Sequence, residues 1–289
     1  MNGFQKPFRW ALLLILAVLS GCDRSVAERS TGPVEATPAI EQAAAPAANA
    51  TIDTPMVEPT PAAEAVEEEP IPPGLTHYMG RPIAQTMHWT GAEWLTRETR
   101  DNEEHTSVVV EALQLEPGMT VCDLGCGNGY YTLKLAKEVA PGGKVLAVEI
   151  QPEYFGMLQQ RAREAGIDNI ELVLGTVIDP KLPPASCDVI LLVDVYHEFS
   201  HPVHMLQAIR KALKPDGVMV VLEFRAEDPD VPIKPEHKMT KTQIMREIPA
   251  NGFKLVGEYN GLPWQHMMFF ARDDSELPEV EPAAPPLDA

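Results

Sequence analysis

Cysteine, aromatic residues and positive charge are all scarce in this chain of 289 residues. There are 4 cysteines, aromatic residues make up 6%, and 23 lysines and arginines stand against 42 aspartates and glutamates. No cluster of basic residues with interleaved aromatics occurs, so we expect no nucleic-acid partner. Besides Cys22, the cysteines are Cys122, Cys126 and Cys187, an odd number in or beside predicted strands. No disulfide framework is therefore predicted.

The chain also lacks a hydrophobic run of the twenty or so residues that a bilayer span needs. A shorter apolar run, residues 10–19, follows Lys6 and Arg9 and leads to the sequence Leu-Ser-Gly-Cys ending at Cys22. This arrangement resembles a bacterial lipoprotein signal, in which the cysteine becomes the lipidated first residue. Residues 1–22 are thus expected to be a signal that anchors the protein to a membrane, on its periplasmic or other extracytoplasmic face. The aspartate after the cysteine resembles an inner-membrane retention signal.

Two segments are poor in residues that could build a core. Residues 23–74 are rich in Ala, Pro, Glu and Thr, and residues 273–289 are rich in Pro and acids. Both are predicted to be disordered, as a linker and a tail, and much of the net charge of −19 then belongs to solvated chain. The folded domain is expected over residues 75–272. Its first part, 75–115, carries several aromatics and suits either a lid over a site or a helical cap on the sheet.

The most informative stretch runs from Met119 to Ala140. Residues 119–124 are typical of a buried strand, and Tyr130 to Ala140 has helical spacing. Between them, glycines allow a sharp turn and close approach of a ligand to the backbone; they are Gly125, Gly127 and Gly129. A strand, glycine loop and helix in this order indicate a nucleotide site, and Asp123 can reach a cation held over the loop.

The glycine spacing decides between nucleotide classes. The dinucleotide fingerprint Gly-x-Gly-x-x-Gly fails, because Tyr130 occupies the third glycine position. The remaining pattern, Asp-x-Gly-x-Gly-x-Gly from Asp123, resembles the class I (Rossmann-like) S-adenosylmethionine-dependent methyltransferases. The resemblance implies that S-adenosylmethionine is the cofactor, that the glycines cradle its methionine end and that Asp123 interacts with its ammonium. Glu149 ends the next predicted strand, where an acid suits a ribose diol.

The rest of the domain alternates between apolar strands and amphipathic helices. Such near-continuous apolar strands predict an α/β fold with a doubly wound, mostly parallel sheet and helices on both faces. Two further strands flank Asn260-Gly261 and predict a C-terminal antiparallel hairpin. Together they resemble the seven-stranded methyltransferase sheet. The expected elements are helices 106–113, 152–165 and 202–213, strands 144–149, 170–174, 189–193 and 218–224, and hairpin strands 253–259 and 264–270.

Acidic residues follow several of these strands. Parallel strands bind ligands beyond their carboxyl ends, so Asp123, Glu149, Asp179 and Asp194 are expected to converge on the cofactor. In many members of the family an acid follows the glycine equivalent to Gly175 and meets the adenine. Here Thr176 stands at that position, so this chain departs from the pattern.

A rival chemistry is offered by residues 197–201, which match the zinc-protease pattern His-Glu-x-x-His. That pattern requires a helix, where residues four apart share a face. Here it directly follows a predicted strand, and Pro202 disfavours helical angles at His201. We therefore expect no metal ligands, and a zinc hydrolase using His197 and His201 is kept as a lesser alternative.

The sequence thus predicts a methyltransferase with a small-molecule acceptor whose identity and reacting atom stay open. If a base is needed, His197 has the most suitable ordinary pKa, with Asp194 and His237 behind it. A non-catalytic nucleoside-binding lipoprotein is the second alternative. The predicted location conflicts with the predicted cofactor, because S-adenosylmethionine is made in the cytosol whereas the signal predicts export.

Overall fold

The structure, a computed structural model, describes residues 70–283. The predicted signal, most of the predicted linker and the last residues of the predicted acidic tail lie outside the described residues. Of the helices between residues 70 and 283, none combines the length and apolar character needed to cross a membrane.

Strands and helices alternate through the middle of the domain. The strands are β1 (His77–Tyr78), β2 (Arg81–Pro82), β3 (Thr120–Leu124), β4 (Lys144–Glu149), β5 (Ile170–Leu174), β6 (Cys187–Val193), β7 (Leu213–Arg225), β8 (Lys238–Met239), β9 (Phe253–Tyr259) and β10 (Gln265–Arg272). The α-helices are α1 (Arg100–Glu104), α2 (Thr106–Ala112), α3 (Tyr130–Glu138), α4 (Glu153–Ala165), α5 (Pro202–Ala212) and α6 (Lys241–Glu247). Short 3-10 helices cover Trp89–Thr96, Tyr196–Glu198, Pro235–His237 and Pro249–Asn251.

The main sheet has the strand order β5-β4-β3-β6-β7-β10-β9. Neighbours from β5 to β7 are parallel, and β10 is antiparallel to both β7 and β9. The predicted α/β class and the predicted C-terminal hairpin are therefore confirmed. An additional strand, β8, pairs with β7 at Phe224 and Arg225 and brings the sheet to eight strands. Because β8 has only two residues, no sequence pattern predicts it.

Helices cover both faces of the sheet, as the side chains of β4 show. Leu146 and Val148 belong to the cluster that also contains Leu206 of α5, whereas Ala147 packs with Leu158 of α4. Alternate residues of a strand point to opposite faces, so α4 and α5 lie on opposite sides. This two-sided burial explains the uninterrupted apolar sequence of β6.

The two ends of the described chain are more ordered than the sequence predicts. Near the start, Pro72 O accepts a hydrogen bond from His201 Nε2 (2.7 Å), so the predicted linker reaches the domain before residue 75. At the other end, Val280 N donates to Leu255 O of β9 (2.9 Å), and Ala283 N donates to Glu258 (2.8 Å). The predicted tail begins at residue 273, and the structure places residues 273–283 beside β9, whose outer edge offers partners that composition does not reveal.

Candidate cofactor and acceptor site

A cavity of about 780 Å³ opens at the carboxyl ends of the parallel strands, where sheets of this kind bind ligands. Its floor includes Leu124 at the end of β3, Glu149 at the end of β4 and Asp194 just after β6. The opposite wall comes from residues 85–104, which precede the first long strand. Two hydrogen bonds between Gln151 and that segment, to Met87 O and from Trp89 N (both 2.9 Å), hold the wall over the floor.

Ion pairs stabilise this wall. Glu104 is 1% exposed and accepts from Arg97 Nη2 (2.5 Å) and Arg100 Nε (2.9 Å). Arg97 also lies 3.8 Å from the ring centroid of Trp94, and Arg100 lies 4.4 Å from that of Tyr130 on α3. The segment 85–104 is therefore fixed by buried charge pairs and lines the cavity. It combines features of both expected alternatives, a lid over a site and a cap on the sheet.

The glycine loop brings backbone to the cavity surface. Gly125 and Gly127 both line the cavity and have φ of +76° and +51°. A Cβ at Gly125 would lie 2.6 Å from Val195 Cγ2, and one at Gly127 would lie 2.5 Å from Leu95 Cδ1. A side chain at either position would therefore collide with these neighbours. Gly129 is different, because its missing Cβ admits Leu158 of α4 and it does not line the cavity.

Glu149 is bound to the glycine loop. Its carboxylate accepts from Gly127 N (3.1 Å), Ile150 N (2.7 Å) and Gln151 N (3.0 Å). Burial raises the pKa of Glu149, and these three N–H groups oppose the increase. The residue lines the cavity at a strand end, so it fixes the loop while presenting a carboxylate edge to a ligand.

Asp194 is the acid whose hydrogen bonding is incomplete. Its Oδ2 accepts from Gln265 Nε2 (2.8 Å), but its Oδ1 is buried without a partner among the described residues. Burial, together with the nearby Glu104 and Glu223, raises the pKa of Asp194 well above its usual range. Its φ of +54° is left-handed, which non-glycine residues seldom adopt. A strained, buried carboxylate with a free oxygen in a cavity is typical of a ligand site.

The other predicted acids lie elsewhere. Asp123 is buried next to the loop, but it accepts from Thr132 Oγ1 (2.5 Å) and is absent from the cavity lining. Asp179 is half-exposed and pairs with Lys181, also away from the lining. Thr176 does line the cavity, and its hydroxyl accepts from Asp179 N (3.0 Å) in a tight turn. The expected convergence of four acids is reduced to Glu149 and Asp194, because the turn at 176–179 directs Asp179 to solvent.

The buried position of Asp123 predicts a pH dependence of stability. Burial raises its pKa to about 6 from 3.8, with Glu149 adding to the increase and Thr132 and Arg100 opposing it. The folded carboxyl holds its proton more tightly than the unfolded one, so the contribution of Asp123 to stability is fully present below pH 4 and is lost as pH rises through 6. The difference corresponds to about 3 kcal/mol. Asp123→Asn should remove this decline.

Urea unfolding of wild type and Asp123→Asn at intervals between pH 4 and 8 measures the effect. The free energy of unfolding of the variant should fall less over this range, by up to about 3 kcal/mol. Parallel pH profiles for the two proteins would contradict the assignment.

His197 lies in a buried line of polar groups on the acceptor side of the cavity. Its Nδ1 donates to Glu223 Oε2 (2.5 Å), its backbone N donates to Glu223 Oε1 (3.2 Å), and its Nε2 is 3.0 Å from Nδ1 of His237. Burial lowers the pKa of His197, but Glu223 outweighs this effect and raises it. Burial and the neighbouring His197 lower the pKa of His237, and burial raises that of Glu198 to about 7.

The two histidines of the His-Glu-x-x-His sequence do not act together. A 3-10 helix ends at Glu198, and the backbone is extended at Phe199 and irregular at His201. His201 binds Ser200 Oγ (2.9 Å) and Pro72 O through its two ring nitrogens, whereas His197 faces Glu223. The helical geometry on which the zinc-protease pattern depends is therefore missing at these residues.

Sequence reasoning missed several residues of the site. Gln265 begins β10 and is fully buried against Asp194, but a polar residue at a strand start has no distinguishing pattern. Glu104 and Arg100 lie in a charged run that looks solvent-exposed in sequence. Glu223 is a lone acid within the continuous apolar run of β7, and this position could have marked it as buried.

A family model described as a methyltransferase domain matches residues 115–266, just over half of the chain. The chain belongs to this family. A crystal structure of a SAM-dependent methyltransferase from Aquifex aeolicus covers 64% of this chain and 98% of its own, with a TM-score of 0.61 and 22% identity. The domain thus has the fold of an S-adenosylmethionine-dependent methyltransferase.

Curated relatives match shorter stretches. A tRNA U34 carboxymethyltransferase from Desulfotalea psychrophila is 29% identical over 104 residues, which is 36% of this chain and 32% of the relative. A demethylmenaquinone methyltransferase from Geobacillus stearothermophilus is 24% identical over 115 residues, 40% and 49% of the two chains. The chain thus spans between about a third and a half of the length of these relatives.

Proposed function

We propose that this protein transfers a methyl group from S-adenosylmethionine to a small-molecule acceptor. The observation that carries the proposal is Asp194, a buried carboxylate with a free oxygen in the cavity beside the glycine loop. A cationic ligand would satisfy that oxygen and offset the repulsion from Glu104 and Glu223. S-adenosylmethionine carries two positive groups, whereas a pyrophosphate cofactor would add negative charge.

The remaining residues fit the same cofactor. Gly125 and Gly127 bring bare backbone to the cavity surface, and Glu149 offers its carboxylate to a diol. Thr176 lines the cavity where an adenine would follow. The bound cofactor supplies a methyl group that its sulfonium has already made electrophilic. The protein therefore has to orient the acceptor, exclude water and, where the acceptor is acidic, hold its proton.

A small-molecule acceptor suits the cavity. Its volume lies within the range of about 300–1,000 Å³ typical of small-ligand sites. The segment 85–104 covers it and is tied down by buried ion pairs, which restricts access by a large partner.

We assign His197 to the acceptor half of the site. It lines the cavity three residues beyond Asp194 and is fixed by Glu223, so its action falls on the acceptor rather than on the cofactor. His197→Ala is expected to lower turnover at least about 100-fold while changing cofactor affinity less than about 3-fold. Single-turnover methyl transfer with any active acceptor, paired with calorimetry, checks this. Full turnover in the variant would remove His197 from catalysis.

Calorimetric titration tests the proposed function. The full-length protein should bind S-adenosylmethionine and its demethylated product but not NAD. Asp194→Asn should weaken binding of S-adenosylmethionine about 10- to 100-fold, the cost of an unmet buried partner. Asp123→Asn is the matched control, because Asp123 is also an acid at a strand end but is directed at Thr132, and it should stay within about 3-fold of wild type. Binding of NAD alone, or of neither cofactor, refutes the proposal.

We also propose that the protein is a lipoprotein anchored through Cys22. The support is sequence alone: two basic residues, a short apolar run and the Leu-Ser-Gly-Cys sequence, followed by an acidic Ala/Pro-rich segment suited to a tether. Cell fractionation of the tagged chain should place wild type in the membrane fraction and Cys22→Ser outside the lipidated pool. If both are soluble with an intact N-terminus, the anchor does not exist.

A further inference from the structure

Two imidazoles and a carboxylate converge at the acceptor end of the cavity. They belong to His197, Glu198 and His237, and their ligand atoms all lie within 4.8 Å of one another. His197 and Glu198 follow β6, whereas His237 comes from the 3-10 helix before β8. All three side chains line the cavity. The fold therefore gathers three side chains of metal-ligating types from two segments that are 40 residues apart in sequence.

The distances suit coordination of one ion. Nε2 of His197 and Nδ1 of His237 are 3.0 Å apart, so the two nitrogens must share either a proton or a cation. Ligand atoms about 2.1 Å from one ion are about 3 to 4 Å apart, depending on the coordination geometry. A carboxylate oxygen of Glu198 lies within 4.8 Å of a ring nitrogen of each histidine, and the carboxylate accepts a long hydrogen bond from Met87 N (3.3 Å). Only a small movement is therefore needed for it to join them.

The surroundings of His197 are those of a metal ligand. Glu223 is fully buried and accepts the Nδ1 proton, which fixes the tautomer and leaves Nε2 directed at His237. A histidine that binds a metal commonly donates its other ring N–H to a carboxylate in this way. Glu223 also binds the backbone N of His197, so both the position and the rotation of the ring are set in advance.

We infer that His197, Glu198 and His237 form a binding site for a divalent transition-metal cation, with Glu223 as the supporting carboxylate. Two nitrogens and one oxygen are a ligand set suited to zinc and to neighbouring first-row metals, and three protein ligands leave at least one position open. That position faces the cavity, where an oxygen-bearing ligand can occupy it. The site differs from the His-Glu-x-x-His pattern, since His237 replaces His201, and it revises the expectation of no metal ligands.

Zinc binding tests the site without any need for methyl transfer. The full-length, untagged protein is treated with a chelator, dialysed and titrated with ZnCl₂ by calorimetry, and its metal content is measured by mass spectrometry. Wild type should bind one equivalent and gain thermal stability on binding. His237→Ala changes a partly exposed residue of a 3-10 helix outside the core, and this variant should bind at least 30-fold more weakly. Glu223→Gln should lose about 10- to 100-fold.

His201→Ala is the matched control, because its ring binds Pro72 O away from the three ligands, and it should bind zinc like wild type. Replacement of zinc by Co²⁺ should give visible absorption that is lost in His237→Ala. Far-UV circular dichroism confirms that each variant is folded. The inference is overturned if folded wild type takes up no stoichiometric zinc, if His237→Ala retains wild-type affinity, or if binding is lost in His201→Ala instead. None of these readouts depends on whether the cofactor binds.

Discussion

Gly125→Ala is expected to weaken binding of S-adenosylmethionine at least about 30-fold, or about 2 kcal/mol. Gly125 has a left-handed backbone, which costs an L-residue about 1 to 2 kcal/mol. Its new Cβ would also lie 2.6 Å from Val195, which lines the cavity. The loop must shift or Val195 must move into the space available to the cofactor. Calorimetry with the cofactor measures the loss.

Two other glycines separate the possible causes. Gly156 lies in the middle of α4 with open space around it, so Gly156→Ala should bind the cofactor normally and be slightly more stable. Gly166 shares the left-handed backbone but also has open space, so Gly166→Ala should lose about 1 kcal/mol of stability and no affinity. An affinity for Gly125→Ala that matches either control would show that the loop does not cradle the cofactor.

Glu247→Ala is expected to lower the free energy of unfolding by about 3 to 5 kcal/mol. Glu247 is fully buried on α6 and binds Arg81 through both oxygens (2.7 and 3.0 Å). It also accepts from Tyr196 Oη (2.8 Å). Its removal leaves a guanidinium and a hydroxyl buried without their partner. Arg81 Nη1 also donates to the carbonyl of His197 (2.9 Å), so the segment after β6 that contains His197 should become less rigid as well.

Urea unfolding with matched variants isolates this effect. Tyr196→Phe removes one hydrogen bond and should cost about 1 to 2 kcal/mol. Glu171→Ala breaks an ion pair with Lys144 in which the side chains of Lys144 and Glu171 are 51% and 58% exposed. It should therefore change the free energy of unfolding by less than about 1 kcal/mol. If Glu247→Ala is no more destabilising than Glu171→Ala, the buried pair is not a stabilising contact of the fold.

The agreement between sequence and structure is strongest where local patterns are strong. The β3 strand, the glycine loop and α3 fall within a residue or two of their predicted bounds, because apolar runs, glycines and proline act within a few residues of chain. Thr240 caps α6 by accepting from Gln243 N, as the spacing of these two residues indicates. The parallel sheet follows from the alternation of such elements, since few topologies bury apolar strands on both faces.

The site was predicted less completely. Strand-end position correctly indicated where Glu149 and Asp194 would lie, but it could not distinguish them from Asp179, whose side chain the turn with Thr176 directs outwards. Asp123 lies beside the loop as expected, but the hydroxyl of Thr132, in the first turn of α3, donates to its carboxylate. The direction of a side chain depends on neighbours far away in sequence, and no local pattern records it.

By itself, the sequence determined the fold class and the position of the glycine loop, because these depend on short-range spacing and on the burial of apolar runs. The class of cofactor followed from the resemblance of that loop to the methyltransferases. The tertiary structure alone decided which polar groups meet. It set Gln265 against Asp194, tied the segment 85–104 over the cavity through Glu104, and replaced His201 by His237 as the partner of His197. These contacts join residues brought together only when the sheet is complete, and their geometry follows from packing rather than from local conformational preference.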